Sequence, residues 1–344
     1  MRRGMLAACA FAFAGAPCDG LVSTRRLSTH GGQSARGAAP RLEMAVDNHV
    51  AEWFQEHRGA ATKAKASFGG SGWASTSKWV VDGTQDSYFV KTSSQPKAAM
   101  FAGEAVGLQA LHSACRGTSM RIPEMQHVSD CAEGSFIIME YLAMGGRGDQ
   151  RAFGKALAEM HLAPPDASVA PEAASGKFGF MVGNTCGETP QPNGWESDWV
   201  TFYTKKRLQH QLDVAGVPLL DKLGEVLLPR IGEFFENGEE IRPSMLHGDL
   251  WSGNVGTAEG SPAIFDPACY YGHHEAEFGM SWCAGFSGDF WAGYRSVIPE
   301  AAGFQKRRPL YELYHQINHY NLFGGTYRNA AAGLMERCLK SLDD

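Results

Sequence analysis

His247, Gly248 and Asp249, followed five residues later by Asn254 and then by Asp266, are residue types that together can move a phosphoryl group. In an H-x-D-x-x-x-x-N loop the aspartate orients a substrate hydroxyl and accepts its proton, and the asparagine binds a metal ion. Between Asn254 and Asp266 the segment VGTAEGSPAIF predicts two short strands around a turn in Thr-Ala-Glu-Gly-Ser-Pro. A hairpin of that length returns Asp266 to the side of Asn254. Two oxygen ligands then face one Mg²⁺, a hard cation held by few protein groups plus nucleotide phosphates. HGD alone is common by chance, so the ordered set of Asp249, Asn254 and Asp266 carries the kinase reading.

Such a loop needs a second element to hold the nucleotide. Residues 79–81 and 88–91 predict strands joined by a turn through Asp82-Gly83. Lys91 ends that hairpin, and the next predicted helix contains Glu104. Kinases place a lysine there for the α- and β-phosphates and brace it with a helical glutamate. Gly69 and Gly70, in a Gly-Gly-Ser-Gly run, stand where a phosphate-covering loop belongs, although a glycine cluster alone signals only a turn. Residues 123–128 and 135–140 predict two more strands. Glu140, Tyr141 and Leu142 would then form the hinge whose backbone pairs with adenine. Val50, Trp53 and Phe54 have the spacing of a first helix. After the hinge, Phe153, Leu157, Met160 and His161 follow helical spacing, with His161 read as a packed structural histidine. Residues 195–235, 309–322 and 329–342 predict further helices.

The words around this skeleton narrow the family. HGDLWSGN followed by FDPACYYGHHEAEFGM (265–280) resembles the fructosamine-3-kinase (ketosamine-3-kinase) family, its plant and bacterial branch in particular. FVKT (89–92), MFAGEAVGLQAL (100–111), IIMEYL (137–142), FGF (178–180), the run 193–212 and YHQINHYNLFGG (314–325) match in order. The resemblance covers residues 47 to 341. It implies an α+β, bilobal protein-kinase-like fold, with a small β-rich N-lobe carrying one helix and a larger helical C-lobe. It implies an ATP- and Mg²⁺-dependent kinase acting on O3 of ketoamines, the sugar adducts on protein lysines and small amines. The phosphorylated adduct would eliminate readily, releasing the amine and a dicarbonyl. Asp249 would be the base, Asn254 and Asp266 the metal ligands, and Lys91 with Glu104 the phosphate clamp. The resemblance to the plant and bacterial branch implies a preference for ribulosamines and erythrulosamines over fructosamines.

Trp251, two residues from the base, is the candidate substrate wall. The aromatic block 311–327 is core residue by residue, yet flat rings with polar tips also suit a sugar-amine. His319 and Asn321 are its candidate substrate contacts. Many family members carry a cysteine in the phosphate loop; here Trp73 and Ser75 stand nearby without one. Two other readings compete. One is a small-molecule kinase of the aminoglycoside or choline type, in which His-Pro often stands where this chain has Trp251-Ser252. The other is a non-catalytic kinase-like binding protein, which would usually lose at least one of Lys91, Glu104, Asp249, Asn254 and Asp266.

Composition bounds the rest. The 344 residues are 44% hydrophobic and 20% charged, as in a globular protein with a sizeable core. The formal net charge is −6, and because the first 42 residues carry +5 (six Arg, one Asp), the remainder carries −11. An acidic body argues against nucleic acid and anionic membranes as partners, and no apolar run reaches the roughly 20 residues that span a bilayer. The eight cysteines form no C-x-x-C and no zinc spacing, so reduced, partly buried thiols are expected. Residues 1–45 have transit-peptide composition, rich in Ala, Gly, Ser and Arg, with a short apolar run after Arg2-Arg3. A signal-like core followed by an Arg/Ser-rich stretch suits a two-part plastid address; the mitochondrion and the cytoplasm are the alternatives. The expected division is an extension at 1–45, an N-lobe at 46–142 and a C-lobe at 143–344.

Overall fold

A computed structural model describes residues 39–68, 74–236 and 240–344. Five strands form one antiparallel sheet in the order β1-β2-β3-β5-β4: β1 Ala61–Phe68, β2 Ser75–Val81, β3 Ser87–Ser93, β4 Met125–Cys131 and β5 Gly134–Glu140. Side chains alternate across a strand, and here both faces are covered, which is why β5 reads as a continuous apolar run. Phe136 and Ile138 face helix α1 (Ala39–His57) and pack with Val46, Val50, Trp53 and Phe54. Ile137 and Met139 face the other way, into the core that holds Phe101, Ala105, Leu108 and Leu111 of α2 (Ala98–Ala114). The sheet therefore carries α1 on its second face as well as the expected α2. The helix predicted from Val50, Trp53 and Phe54 begins at Ala39, so the boundary expected at residue 45 falls inside it.

The chain then crosses a short strand, β6 Met144–Gly145, into α3 (Gln150–Leu162) and α4 (Pro171–Ala174). A two-stranded ladder follows, β7 Asn184–Cys186 with β8 Thr189–Gln191. The region 195–235, expected to be helical, is built from α5 (Trp199–Phe202), a π-helical stretch Tyr203–Gln209, α6 (His210–Ala215), α7 (Pro218–Leu227) and a 3-10 stretch Leu228–Phe235. β9 Ser244–Leu246 and β12 Tyr270–Gly272 pair across the catalytic segment. Between them lies the hairpin β10 Val255–Ala258 and β11 Ser261–Ile264. Its turn is Glu259-Gly260, with φ of 53° and 80°, the left-handed pair that matches the twist of a two-residue hairpin. A 3-10 stretch His274–Met280, α8 (Ser281–Ala284), α9 (Gly288–Arg295), α10 (Phe304–Phe323) and α11 (Tyr327–Asp343) close the larger lobe. Among the described residues no disulfide joins the lobes, and the cysteines there are free, as expected.

Candidate active site

The two lobes meet over a cleft of about 570 Å³ lined by groups from both. One end is apolar: Ala74, Phe89, Met139, Leu142, Met144 and Phe265 surround a slot suited to a flat base, with Glu140 and Tyr141 at its rim. The hinge is held from behind. Arg121 Nη2 donates to Glu140 Oε1 at 2.8 Å, and the Tyr141 amide donates to Ser87 O at 3.2 Å. The other end is polar and holds Lys91, Glu104, Asn254 and Asp266. Gly69 and Gly70, expected to cover the phosphates, lie outside the described residues.

Lys91 sits where β3 pairs with both β2 and β5, so its backbone is fixed from two sides. Its Nζ donates to Glu104 Oε1 at 2.8 Å and to Asp266 Oδ1 at 2.7 Å. Burial alone would lower the lysine pKa, but Asp266 and Glu104 outweigh it and raise the value, so the ammonium stays charged. Burial likewise would raise the Asp266 carboxyl, yet Lys91 holds it below the ordinary carboxylate range. Glu104 reaches this position because α2 packs closely: a Cβ on Gly103 would lie 2.8 Å from the Asn184 Cβ. Lys91 and Glu104, expected as the phosphate clamp, are thus brought together, with Asp266 as a third member of the cluster.

The catalytic loop leaves β9 directly into His247. The buried imidazole donates from Nε2 to Phe265 O at 2.8 Å and accepts the Asp249 amide at Nδ1 at 3.3 Å. Burial lowers its pKa, so it is a neutral tie between the loop and the strand that leads to Asp266. Gly248 has φ of +81°, and a Cβ there would lie 2.2 Å from Ala268 O, which only glycine avoids. The Asn254 amide nitrogen donates to Asp249 O at 2.9 Å, to Asp249 Oδ2 at 3.3 Å and to Asp266 O at 3.4 Å. With the nitrogen so engaged, Oδ1 is the atom left for a cation. Asn254 Oδ1 and the Asp266 carboxylate make an all-oxygen donor set, which fits Mg²⁺. The Asp249 carboxyl is pushed up to about 7, first by burial and then by the charge of Asp266, against the Asn254 bond that lowers it. That value suits a general base at neutral pH.

Glu277 supports this loop and was not singled out in the sequence, although it stands in the matched block 265–280. It is 2% exposed, accepts the His247 amide at Oε2 (2.7 Å) and the Gly248 amide at Oε1 (3.0 Å), and faces His161 Nε2 at 3.3 Å. His161 in turn accepts the Tyr294 hydroxyl at Nδ1 at 2.8 Å, which makes it the structural histidine expected. Burial would raise the Glu277 pKa, but His161 and the His247 contacts win and lower it. Glu277→Ala leaves two buried amides unpaired and is expected to cost about 3 kcal/mol or more in urea unfolding, with Glu277→Gln losing less. A carboxylate with a depressed folded pKa stabilises at neutral pH and loses that contribution as pH falls through the folded value. The gap between wild type and Glu277→Ala should therefore shrink in acid, and a gap that stays constant would remove the charge from the explanation.

The substrate candidates fare differently. Trp251 is 40% exposed and lines the main cleft, its indole folded over Gly253, so it stands at the mouth that nucleotide and acceptor must share. Asn321 is a correction: its Nδ2 donates to Gln211 O at 3.1 Å and Oε1 at 2.6 Å, tying α10 to α6 instead of facing the base. His319 packs its ring among Phe323, Tyr327 and Trp282. The α10 residue beside Asp249 is His315, one turn earlier, together with Cys186 from β7. Residues four apart share a helix face while Asn321, six beyond His315, points elsewhere. A pocket of about 60 Å³, lined by Asn184, Thr185, Gly187, Asp249 and Asp266 among others, opens beside these groups.

The chain is similar to known proteins along most of its length. The family description "Fructosamine kinase" matches residues 46–341. The chain is 43% identical over 331 residues to a chloroplastic protein-ribulosamine 3-kinase of Oryza sativa subsp. indica, covering 92% of each chain. It is 46% identical over 263 residues to the chloroplastic protein-ribulosamine 3-kinase of Arabidopsis thaliana, covering 74% of this chain and 77% of that one. A putative fructosamine-3-kinase from Thermobifida fusca superposes with a TM-score of 0.70 at 26% identity, over 85% of this chain and 99% of the other. Bilobal kinase architecture, an assembled catalytic loop and relatedness along nearly the whole chain together make this protein a member of the fructosamine kinase family.

Proposed function

We propose that this protein is an ATP-dependent ketosamine 3-kinase that phosphorylates O3 of ribulosamine or fructosamine adducts on protein lysines or small amines. The observation that carries this reading is the Asp249 carboxylate, bonded by Asn254 at 3.3 Å and sharing a small pocket with Asp266, in a chain that matches the fructosamine kinase family along nearly its whole length. Asp249 accepts the proton of the O3 hydroxyl as that oxygen bonds to the γ-phosphorus and the bond from phosphorus to the β-phosphate oxygen breaks. Lys91 holds the phosphates, with Glu104 keeping the ammonium in place. Asn254 and Asp266 would hold Mg²⁺, which when bound supplies charge neutralisation at the phosphates. Positioning and charge stabilisation supply most of the rate in this reaction class. After transfer, enolisation toward C1 makes the C3 phosphate a leaving group, and hydrolysis of the resulting imine frees the amine and a dicarbonyl. The outcome is deglycation, a repair of protein lysines.

The test is a substrate panel. Ribulosyl-lysine and a ribated protein should be phosphorylated and then release free amine, while free ribose, choline and kanamycin are poor substrates. Efficient choline or kanamycin phosphorylation without ketoamine turnover would overturn the reading and leave the kinase fold intact. Trp251→Ala is expected to raise KM for ketoamine and for ATP, because one ring faces a mouth shared by both. Unchanged KM for both would remove Trp251 from the site.

We further propose that residues 1–45 direct the chain to the plastid. The support is the composition break at the acidic body and the chloroplastic names of the two plant relatives. A reporter fused to residues 1–45 should enter the organelle, and a diffuse cytosolic signal would refute this. A chain begun at Met44 keeps the buried face of α1, formed by Val46, Val50, Trp53 and Phe54, and should retain activity.

A further inference from the structure

Asp249 meets two side chains that phosphoryl transfer does not use. Cys186, at the end of β7, and His315, in α10, each bring a ligand atom within 4.8 Å of the other and of an Asp249 carboxylate oxygen. Three separate elements converge there: a hairpin, a helix and the catalytic loop. Cys186 and His315 are 1% and 4% exposed. Asn318, three residues along α10 from His315, donates Nδ2 to Cys186 O at 3.2 Å and to its Sγ at 3.4 Å, which fixes the thiol against the helix.

One sulfur, one imidazole nitrogen and one carboxylate oxygen are a donor set for a borderline-soft ion. Mg²⁺, which prefers oxygen, has no reason to choose it. Around tetrahedral Zn²⁺, bonds of about 2.0–2.3 Å put neighbouring ligand atoms roughly 3.5 Å apart, so the three atoms need close by only about 1 Å. The carboxylate is held by a long 3.3 Å bond from Asn254, which leaves it room to move. Burial holds the His315 pKa at about 3, so the ring is neutral and keeps a lone pair. Burial, and then the charge of Asp249, push the Cys186 thiol up, so at rest it keeps its proton; a bound metal ion displaces such a proton outright. A pocket of about 60 Å³ is lined by Asp249 and by Thr185 and Gly187, the neighbours of Cys186, so a metal ion can approach from the Asp249 side.

We propose that Cys186, His315 and Asp249 form an inhibitory Zn²⁺ site, in which the metal takes the catalytic carboxylate as a ligand and withdraws it from the substrate hydroxyl. Binding releases the thiol proton to solvent and involves no redox step. The inhibition rests on Asp249 being the base, while the binding site does not.

The experiment uses the full chain and chelator-buffered Zn²⁺. With Mg-ATP and ribulosyl-lysine, micromolar free Zn²⁺ should inhibit the wild type, and tenfold more Mg²⁺ should not restore it. Cys186→Ala, and Cys186→Ser as a second variant should the first fold poorly, should keep turnover without Zn²⁺. Each should need about tenfold more Zn²⁺ or higher for the same inhibition. Co²⁺ read by absorbance gives a view independent of activity: a thiolate-to-cobalt band should appear in the wild type, vanish in the Cys186 variants and weaken in His315→Gln. Equal Zn²⁺ sensitivity in wild type and variants, relief by Mg²⁺, or a cobalt band unchanged by Cys186→Ala would each overturn the site. Absence of ketoamine turnover before any Zn²⁺ is added would instead count against the proposed function, and the cobalt band would still decide whether the site exists.

Discussion

Asp249→Asn is expected to lower turnover by on the order of 10²- to 10⁴-fold, the usual cost of losing a general base, while Mg-ATP still binds. The substitution keeps the shape of the side chain, and its Oδ1 can still accept from Asn254. What it removes is a buried negative charge beside Asp266, the pair that pushes the Asp249 carboxyl up to about 7. This predicts a stability signature as well as a kinetic one. An aspartate that titrates near 3.9 when unfolded and near 7 when folded makes the native state bind more protons between those values. Wild-type stability therefore falls as pH rises through that window, and the asparagine variant is spared this loss. The melting temperature of Asp249→Asn should match the wild type near pH 4 and exceed it at pH 8. Near-normal turnover would show that the catalytic loop is misassigned. A variant less stable than wild type at pH 8 would show that burial of Asp249 is not unfavourable.

The parts of the site that were legible in the sequence are those whose geometry is local. HGD with Asn254 five residues on is one loop, and a twelve-residue interval closed by Glu259-Gly260 can only return Asp266 to its neighbourhood. Lys91 and Glu104 follow from one strand and the next helix, thirteen residues apart. The β2-β3 and β4-β5 hairpins were legible for the same reason, whereas β1 carried no signal that was read and the β3-β5 pairing spans α2 and β4. The kinase chemistry therefore stood in the sequence before any distance was known.

What was not legible depends on contacts between distant segments. Glu277 reaches back 30 residues to bond the His247 amide, and only a folded core reveals that a carboxylate must satisfy it. In α10 the sequence offers His315, Asn318, His319 and Asn321 within seven positions, all polar in an aromatic run. Which one faces the base depends on the rotation of the helix about its axis. That rotation is set by packing against residues from elsewhere: Asn318 bonds Cys186 and Asn321 bonds Gln211. His319 and Asn321 were chosen without that constraint, and it is His315 that lies beside Asp249. Cys186 drew no attention because a lone cysteine in a loop carries no spacing signal.

Asp266 is the second decisive position, and the choice of substitution matters. Its φ of 59° lies in the left-handed region, which asparagine tolerates and alanine resists. Asp266→Ala would thus add backbone strain of about 1–2 kcal/mol to the chemical loss, whereas Asp266→Asn isolates the charge. In Asp266→Asn, Lys91 keeps Glu104 at 2.8 Å, so the buried ammonium is still paired and the N-lobe should stay folded. The all-oxygen donor set shared with Asn254 loses its only formal charge, and the attraction for a divalent cation falls with it. Turnover should drop by on the order of 10²-fold or more, with a raised Mg²⁺ requirement that excess Mg²⁺ relieves only weakly. Removing the Asp266 charge also takes away one of the three influences that raise Asp249, after burial the largest, so the Asp249 carboxyl should move down toward its ordinary range. A base of lower pKa is ionised at neutral pH, so loss of activity in Asp266→Asn cannot come from a protonated Asp249. Wild-type kinetics for Asp266→Asn at limiting Mg²⁺ would reduce Asp266 to a turn residue that also pairs with Lys91.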